Sequence, residues 1–182
     1  MSRRRIGVLA AILSVVAMVL GGAAPASAAP YCGIVWGSLE KSAGSLQPAP
    51  LTNVRSGRHA CFDRVVFDFR APADGYVVRY SPVVLAEGSG DPLTVAGGAK
   101  LWVTLLAPAH DQNMNVTYPR VTGDHVVNAA GYSTLRDVVY GGSFEGYTTF
   151  GVGVRARLPF RVFVLPGPDA GSRIVLDVAH RW

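Results

Sequence analysis

Lysine is almost absent from this sequence, which contains only Lys41 and Lys100. The other basic residues are arginines, and three of them, Arg3, Arg4 and Arg5, stand together at the start. Without these three, 14 of the 17 basic residues remain against 12 acidic ones, and no cluster of Lys and Arg is left. Binding to nucleic acid requires a concentrated positive surface. The sequence therefore predicts no nucleic-acid partner.

The spacings that mark common hydrolase sites are also lacking. The sequence has no H-E-x-x-H, no C-x-x-C and no G-x-S-x-G, which are the arrangements that hold zinc or expose a nucleophilic serine. We therefore expect no catalytic residue, no metal site and no cofactor, and we interpret the protein as a non-enzyme. Four scattered histidines are interpreted as surface or capping residues: His59, His110, His125 and His180.

Residues 1–28 have the pattern of a cleavable signal peptide. A basic start is followed by an uncharged run from Ile6 to Leu20, and Ala26-Ser27-Ala28 is an A-x-A cleavage signal. The apolar run is shorter than the roughly 20 residues that a transmembrane helix needs. We therefore expect export, by either the general or the twin-arginine route, and no stable membrane span after cleavage.

The sequence contains two cysteines, Cys32 and Cys61. In an exported chain they predict one disulfide, because the compartment outside the cytoplasm is oxidising. Residues 29–60 are interrupted by Gly and Pro and are interpreted as an irregular N-terminal arm. The disulfide would fasten this arm to the first strand of the domain, which we place at residues 61–182.

Residues 61–182 consist of short apolar runs rich in β-branched and aromatic residues, separated by Gly, Pro, Asp and Asn. In one of these runs Phe150, Val152 and Val154 alternate with smaller or polar residues, so one face is apolar. The spacers are too short for crossover helices. The pattern predicts an all-β fold, a two-layer antiparallel β-sandwich with an open barrel as the alternative. Strands are expected near residues 64–70, 75–82, 101–106, 116–118, 134–140, 147–157, 160–165 and 173–179, of which 134–139 could instead form a helical turn.

Two acids, Asp68 and Asp177, stand inside apolar strands. Charged side chains are rarely buried without partners. We therefore expect both acids to form ion pairs that fix strand register, with counterions among Arg64, Arg70, Arg155 and Arg161.

Aromatic and charged side chains supply the candidate binding residues. Trp36 and Trp102 offer flat surfaces that stack on sugar rings when they are exposed, and pack a core when they are not. Glu145 lies between glycines that would let a ligand approach the backbone, although an ion pair with Arg155 or Arg157 is the simpler interpretation. The full candidate set is Trp36, Trp102, Glu145, Tyr147, Arg155 and His180.

Several strings together resemble one family. They are CGIVWGS at 32–38, GRHACFDRVV at 57–66, GSFEG at 142–146, FGVGVR at 150–155, PFRVF at 159–163 and DVAHRW at 177–182. Over residues 31–182 the chain resembles the AMIN-like domain proteins that actinobacteria export. The resemblance implies a sandwich similar to the AMIN domain, a module that targets envelope amidases by binding peptidoglycan. The family has no established activity, so the resemblance assigns no catalytic residue.

Three functions remain open at this point. The leading hypothesis is a secreted, non-catalytic cell-envelope module, associated with the wall, whose partner is peptidoglycan or another wall glycan. The second is a secreted protein-interaction module, such as an inhibitor or adaptor of an envelope enzyme. The third is a small glycan hydrolase that uses Glu145 or His180.

Overall fold

The computed structural model describes residues 30–182, and the signal peptide predicted for residues 1–28 lies outside the described residues. Within this range no helix is long and apolar enough to cross a membrane. After a 3₁₀ turn at Tyr31–Gly33, the regular elements of the described residues are all strands, joined by turns and loops. These are β1 (Lys41–Ala43), β2 (Leu51–Arg58), β3 (Phe62–Phe69), β4 (Tyr76–Tyr80), β5 (Ala99–Leu105), β6 (Leu135–Phe144), β7 (Tyr147–Val154), β8 (Phe160–Pro166) and β9 (Ser172–Ala179).

The strands form two sheets. One has five strands in the order β1-β4-β5-β7-β6, and the other has four in the order β2-β3-β9-β8. Every pairing between these strands is antiparallel. The predicted two-layer antiparallel β-sandwich is therefore confirmed.

The core lies between the two sheets and follows the alternation seen in the sequence. Phe150, Val152 and Val154 point inward from β7, and Phe67 on β3 faces them from the other sheet. The ring centroids of Phe67 and Phe150 are 5.1 Å apart, and both side chains are fully buried. Burial of each such side chain contributes about 2 to 3 kcal/mol. The apolar stripes that alternate along the strands therefore hold the two layers together.

The N-terminal arm is less irregular than expected. Residues 51–58, which the sequence analysis placed in the arm, form β2 and pair with β3 along its whole length. Leu51 and Val54 are buried, but Ser56 takes a core-facing position, where its Oγ accepts a hydrogen bond from the hydroxyl of Tyr132 at 2.8 Å. A register shift between Leu51 and Asn53 further breaks the alternation. The strand was missed because its inward face is only half apolar.

The strand predicted at residues 116–118 was wrong. Val116 forms only an isolated bridge with His110, in a loop. Tyr118 is buried, and its ring packs edge-on against Tyr140 at 5.4 Å. This segment therefore contributes the Tyr118 side chain to the core without pairing as a strand.

The ambiguous run at residues 134–140 is a strand. β6 extends from Leu135 to Phe144 and passes through Gly141 and Gly142, beyond the end predicted at residue 140. The pairing with β7 shifts register between Tyr140 and Ser143, where Gly142 adopts a φ of 98°. These glycines mark a β-bulge inside the strand, not its end.

Residues 81–98 form a covering loop over the outer face of the five-stranded sheet. The loop residues Val84 and Val95 are buried, and the amide of Ala96 donates a 2.9 Å hydrogen bond to the carboxylate of Asp137. The loop lies close to the sheet because Gly151 and Gly153 carry no side chain there; a Cβ on Gly151 would lie 2.5 Å from Val95. The outer face of this sheet is therefore largely closed.

Candidate functional site

The outer face of the four-stranded sheet is covered by its own side chains. On β3 and β9 the core takes Val65, Phe67, Ile174 and Leu176, and alternation turns the residues between them outward. Register then aligns outward side chains across the four strands. These residues, which we call the outer face, are Asn53, Arg55, Phe62, Arg64, Val66, Asp68, Arg161, Phe163, Leu165, Arg173, Val175 and Asp177.

Asp177 lies on β9, between β3 and β8. It pairs with Arg64 on β3 and with Arg161 on β8 in the strand register. Arg64 donates to its two oxygens at 2.7 and 3.0 Å, and Arg161 approaches the second oxygen at 2.8 and 2.9 Å. The Asp177 side chain has no exposed surface, because the two guanidinium groups cover it. The ion pairing predicted for Asp177 is thus observed with two of the four expected arginines.

The same two arginines lie among aromatic rings. The guanidinium carbon of Arg161 is 4.8 Å from the ring centre of Phe163 and 5.5 Å from that of Trp36. Arg64 lies 5.2 Å from the ring of Phe62. Such contacts favour planar guanidinium groups held flat on ring faces. We call Trp36, Phe62, Arg64, Arg161 and Phe163 the aromatic end of the outer face.

Asp68 organises the other end of the outer face. Arg55 donates to both of its oxygens, at 2.8 and 3.1 Å, and Asn53 donates to one of them at 3.3 Å. The hydrogen bond to Asp68 raises the pKa of Arg55 above its usual range, and the opposite charge adds to this effect. Arg173 lies 3.4 Å from the same carboxylate. None of the four counterions expected from the sequence pairs with Asp68, because β2 was not recognised as its neighbour.

A groove of about 750 Å³ opens beside Asp68. It is bordered by Arg55, Arg70 and Arg173 and by the β8–β9 turn around Asp169. Asp68 follows Arg64 by four positions on β3, which corresponds to roughly 13 Å along a strand. The aromatic end and the arginine-lined groove therefore lie on one continuous surface.

The six candidate binding residues are not brought together. Trp36 belongs to the aromatic end, where its Nε1 donates to the carbonyl of Tyr31 at 2.8 Å. Trp102 lies on the opposite sheet, beneath the guanidinium of Arg79 at 4.7 Å, and its buried Nε1 has no hydrogen-bond partner among residues 30–182. The two tryptophans therefore face opposite sides of the molecule.

Glu145 and Tyr147 lie at the tip of the β6–β7 hairpin. Glu145 and Gly146 both have positive φ, 48° and 86°, and Phe144 pairs directly with Tyr147. This is a two-residue turn of the kind that requires left-handed residues. Within the described part of the chain Glu145 forms no ion pair. The expected pair with Arg155 or Arg157 was wrong, since eight residues of extended strand, about 27 Å, separate Tyr147 from Arg155.

Arg155 and His180 meet at the opposite end of β7. Arg155 donates to the carbonyl of His180 at 2.6 Å, and the His180 Nε2 lies 3.1 Å from Asp63. Asp63 is buried and also accepts the backbone amides of Thr134 and Leu135. Asp63 was not predicted as a buried residue, although alternation places it on the inner face with Val65 and Phe67. This cluster holds β3, β6 and β9 together.

A second histidine–carboxylate contact lies on the five-stranded sheet. The Nδ1 of His125 is 2.8 Å from Asp137, whose other oxygen accepts the Ala96 amide of the covering loop. Across residues 30–182 no three His, Cys, Asp or Glu side chains are grouped closely enough to hold a metal ion. Both histidine pairs therefore connect segments of the fold.

Cys32 and Cys61 form a disulfide, as predicted. Since it joins the arm to the start of β3, it places Trp36 near Phe62, with the ring centroids 6.0 Å apart. A disulfide is typical of proteins outside the cytoplasm.

Comparison with protein-family models matches residues 49–180 to the AMIN-like domain. Neither the comparison with curated proteins nor that with solved structures found a match. The matched region begins just before β2, so it includes residues that the sequence analysis assigned to the arm. Because the match covers well over half of the sequence, the chain belongs to the AMIN-like domain family.

Proposed function

We propose that this protein is a non-catalytic cell-envelope module that binds peptidoglycan, or another wall glycan, through the outer face of its four-stranded sheet. The observation that carries the proposal is the aromatic end, where the guanidinium carbons of Arg64 and Arg161 lie 4.8 to 5.5 Å from the ring centres of Trp36, Phe62 and Phe163. The family and the disulfide both support a place outside the cytoplasm.

The chemistry of this surface suits a sugar polymer. Aromatic faces bury the apolar C–H surfaces of sugar rings, and guanidinium groups donate hydrogen bonds to hydroxyl and carbonyl oxygens. Asp177 fixes both arginines in place, so little side-chain entropy is lost when a ligand binds. The outer face extends across four paired strands, which suits a chain of sugars.

Sedimentation with purified, insoluble cell wall tests the proposal. Wild-type protein is expected in the pellet, while Trp36→Ala and Phe163→Ala are expected to bind about tenfold more weakly, which corresponds to the loss of one aromatic contact. Tyr147→Ala changes an exposed aromatic residue at the hairpin tip and should bind like the wild type. Full recovery of the wild type in the supernatant would refute wall binding. If only Tyr147→Ala lost wall binding, the binding site would lie at the tip of the β6–β7 hairpin instead.

The same samples test for catalysis. A non-catalytic module releases no soluble muropeptides or sugars from the wall over prolonged incubation. Release that disappears in Glu145→Gln or in His180→Gln would establish the hydrolase instead.

A protein partner is the second candidate, and one observation favours it. An apolar depression of about 270 Å³ lies between the arm and the end of the chain, next to Trp36. At its rim Val35 is 85% exposed and Trp182 is 70% exposed, and contiguous exposed apolar surface often marks a protein contact. Co-purification of a stoichiometric protein that Val35→Ser and Trp182→Ser abolish, with wall binding unaffected, would identify this second function.

A further inference from the structure

The groove beside Asp68 has more hydrogen-bond donors than acceptors. Arg55 uses two N–H groups on Asp68, which leaves three of the five that a guanidinium carries. The guanidinium of Arg70 is exposed and makes no hydrogen bond or ion pair with any residue in the range 30–182. The Nε of Arg173 is buried 3.4 Å from Asp68, where it forms an ion pair but no hydrogen bond.

The carboxylates of the groove do not offset these donors. The acceptor sites of Asp68 are taken by Arg55 and Asn53, with Arg173 at 3.4 Å. Asp169 is exposed on the turn at the edge of the groove. Three cations and two anions line the groove, and Asp111 interacts electrostatically with Arg70 from outside this lining. The more deeply buried lining carboxylate, Asp68, already accepts hydrogen bonds from Arg55 and Asn53.

This arrangement specifies the chemistry of a ligand. Guanidinium groups bind carboxylate and phosphate through two parallel hydrogen bonds, and such charge-assisted bonds are about twice as strong as neutral ones. Asp68 holds Arg55 and Arg173 in place before any ligand arrives, while Arg70 is free to complete the contact. A neutral sugar would leave most of these donors facing water.

We propose that this groove binds an oxyanion, a carboxylate or phosphate group, on the wall polymer that the aromatic end holds. The inference rests on the proposed function for the identity of the polymer, but the oxyanion chemistry of the groove stands apart from it. The roughly 13 Å between the two ends of the outer face lets one extended ligand contact both. Two sources carry the required group in a bacterial wall: the carboxylates of the stem peptides and the phosphodiesters of attached polymers.

Binding to treated walls tests the proposal. Arg70→Gln removes a guanidinium without touching the Asp68 network and should weaken binding about fivefold, as expected for a partly exposed charge contact, with a shallower salt dependence. Arg136→Gln is the matched control, because Arg136 is an exposed arginine on β6 of the other sheet. Two treated walls identify the source of the oxyanion: one stripped of phosphodiester polymers by hydrofluoric acid, and one whose carboxylates are amidated. The treatment after which Arg70→Gln and the wild type bind equally well is the one that removes the ligand group.

The outcomes separate this inference from the proposed function. If Phe163→Ala loses binding while Arg70→Gln and Arg136→Gln bind like the wild type on every wall, the oxyanion site is refuted and wall binding stands. If the wild type does not bind walls at all, soluble probes still decide the groove: glycerol phosphate and a D-alanyl-D-alanine peptide with a free carboxylate. Saturable binding of either probe that Arg70→Gln abolishes supports the oxyanion site, and no saturable binding of either overturns it.

Discussion

The carboxylate of Asp177 lies 2.7 Å from the Nε of Arg64 and is fully buried, although it points away from the hydrophobic core. A charged group on the outer face of a sheet is ordinarily hydrated, but here the arginines of the two neighbouring strands exclude water from the carboxylate. The three strands β3, β9 and β8 are thereby joined by one carboxylate. Stability and ligand binding should both depend on it.

Replacing Asp177 with Asn keeps the shape and removes the charge. We expect the free energy of unfolding to fall by about 1 to 3 kcal/mol, because two arginines lose a buried charged partner but retain partial access to water. Urea denaturation measures the change. Asp169→Asn is the control, since Asp169 is exposed and Asn tolerates its positive φ of 51°. Equal unfolding midpoints for Asp177→Asn and the wild type would contradict the role of this network.

Removing the disulfide should cost more. The double variant Cys32→Ser, Cys61→Ser opens a loop with a sequence separation of 29 residues, and the chain-entropy model gives a loss of about 3 to 4 kcal/mol. Wall binding should weaken as well, since Trp36 would no longer be tethered beside Phe62. Denaturation with and without reductant measures the first effect and sedimentation the second. Reductant should not change the stability of the double variant. If reductant does not lower the stability of the wild type either, the disulfide does not stabilise the fold.

Stability should fall at alkaline pH through Tyr118. Burial raises the pKa of its hydroxyl to about 12, whereas the unfolded chain has the usual value of 10.0. Above pH 10 the unfolded state releases this proton and the folded state does not, so stability is complete below pH 10 and declines towards pH 12. Urea denaturation at several pH values should show a shallower decline in Tyr118→Phe. A decline of the same slope in both proteins would assign it to other groups.

Gly153 should not tolerate a side chain. A Cβ at this position would lie 1.7 Å from the carbonyl oxygen of Ala96, so Gly153→Ala must push the covering loop off the sheet. We expect a loss of about 3 kcal/mol, measured by thermal or urea unfolding. In Gly57→Ala the new Cβ would meet only the His59 ring at 3.7 Å, and that variant should be close to the wild type in stability. Comparable stability of the two variants would mean that the loop adjusts freely.

The sequence was sufficient to predict the sandwich because the central strands have an apolar residue at every second position. Phe150, Val152 and Val154 are all buried in the core, as their alternation indicated. β2 escaped detection for the opposite reason: Ser56 occupies an inward position where a hydrogen bond to Tyr132 replaces apolar packing. A hydrophobic pattern does not reveal an inward position that is occupied by a hydrogen-bonded hydroxyl group.

The candidate site was harder to predict because it depends on register between strands that are distant in sequence. Asp177 is 113 residues from Arg64 and 16 from Arg161. Composition indicated that arginines would pair with the strand-borne acids, but only the sheet order shows which ones. Trp36 was identified from its chemistry alone, whereas Arg173 and the groove required the position of β2 beside β3.

The arrangement along β3 gives the outer face two unlike ends, with Arg64 beside the ring of Phe62 at one end and a cluster of arginines around Asp68 at the other. No rotation of this surface superimposes one end on the other. A polymer whose repeating unit has a head and a tail would therefore lie across it in a single direction, and neighbouring copies of the protein along one strand of that polymer would all point the same way.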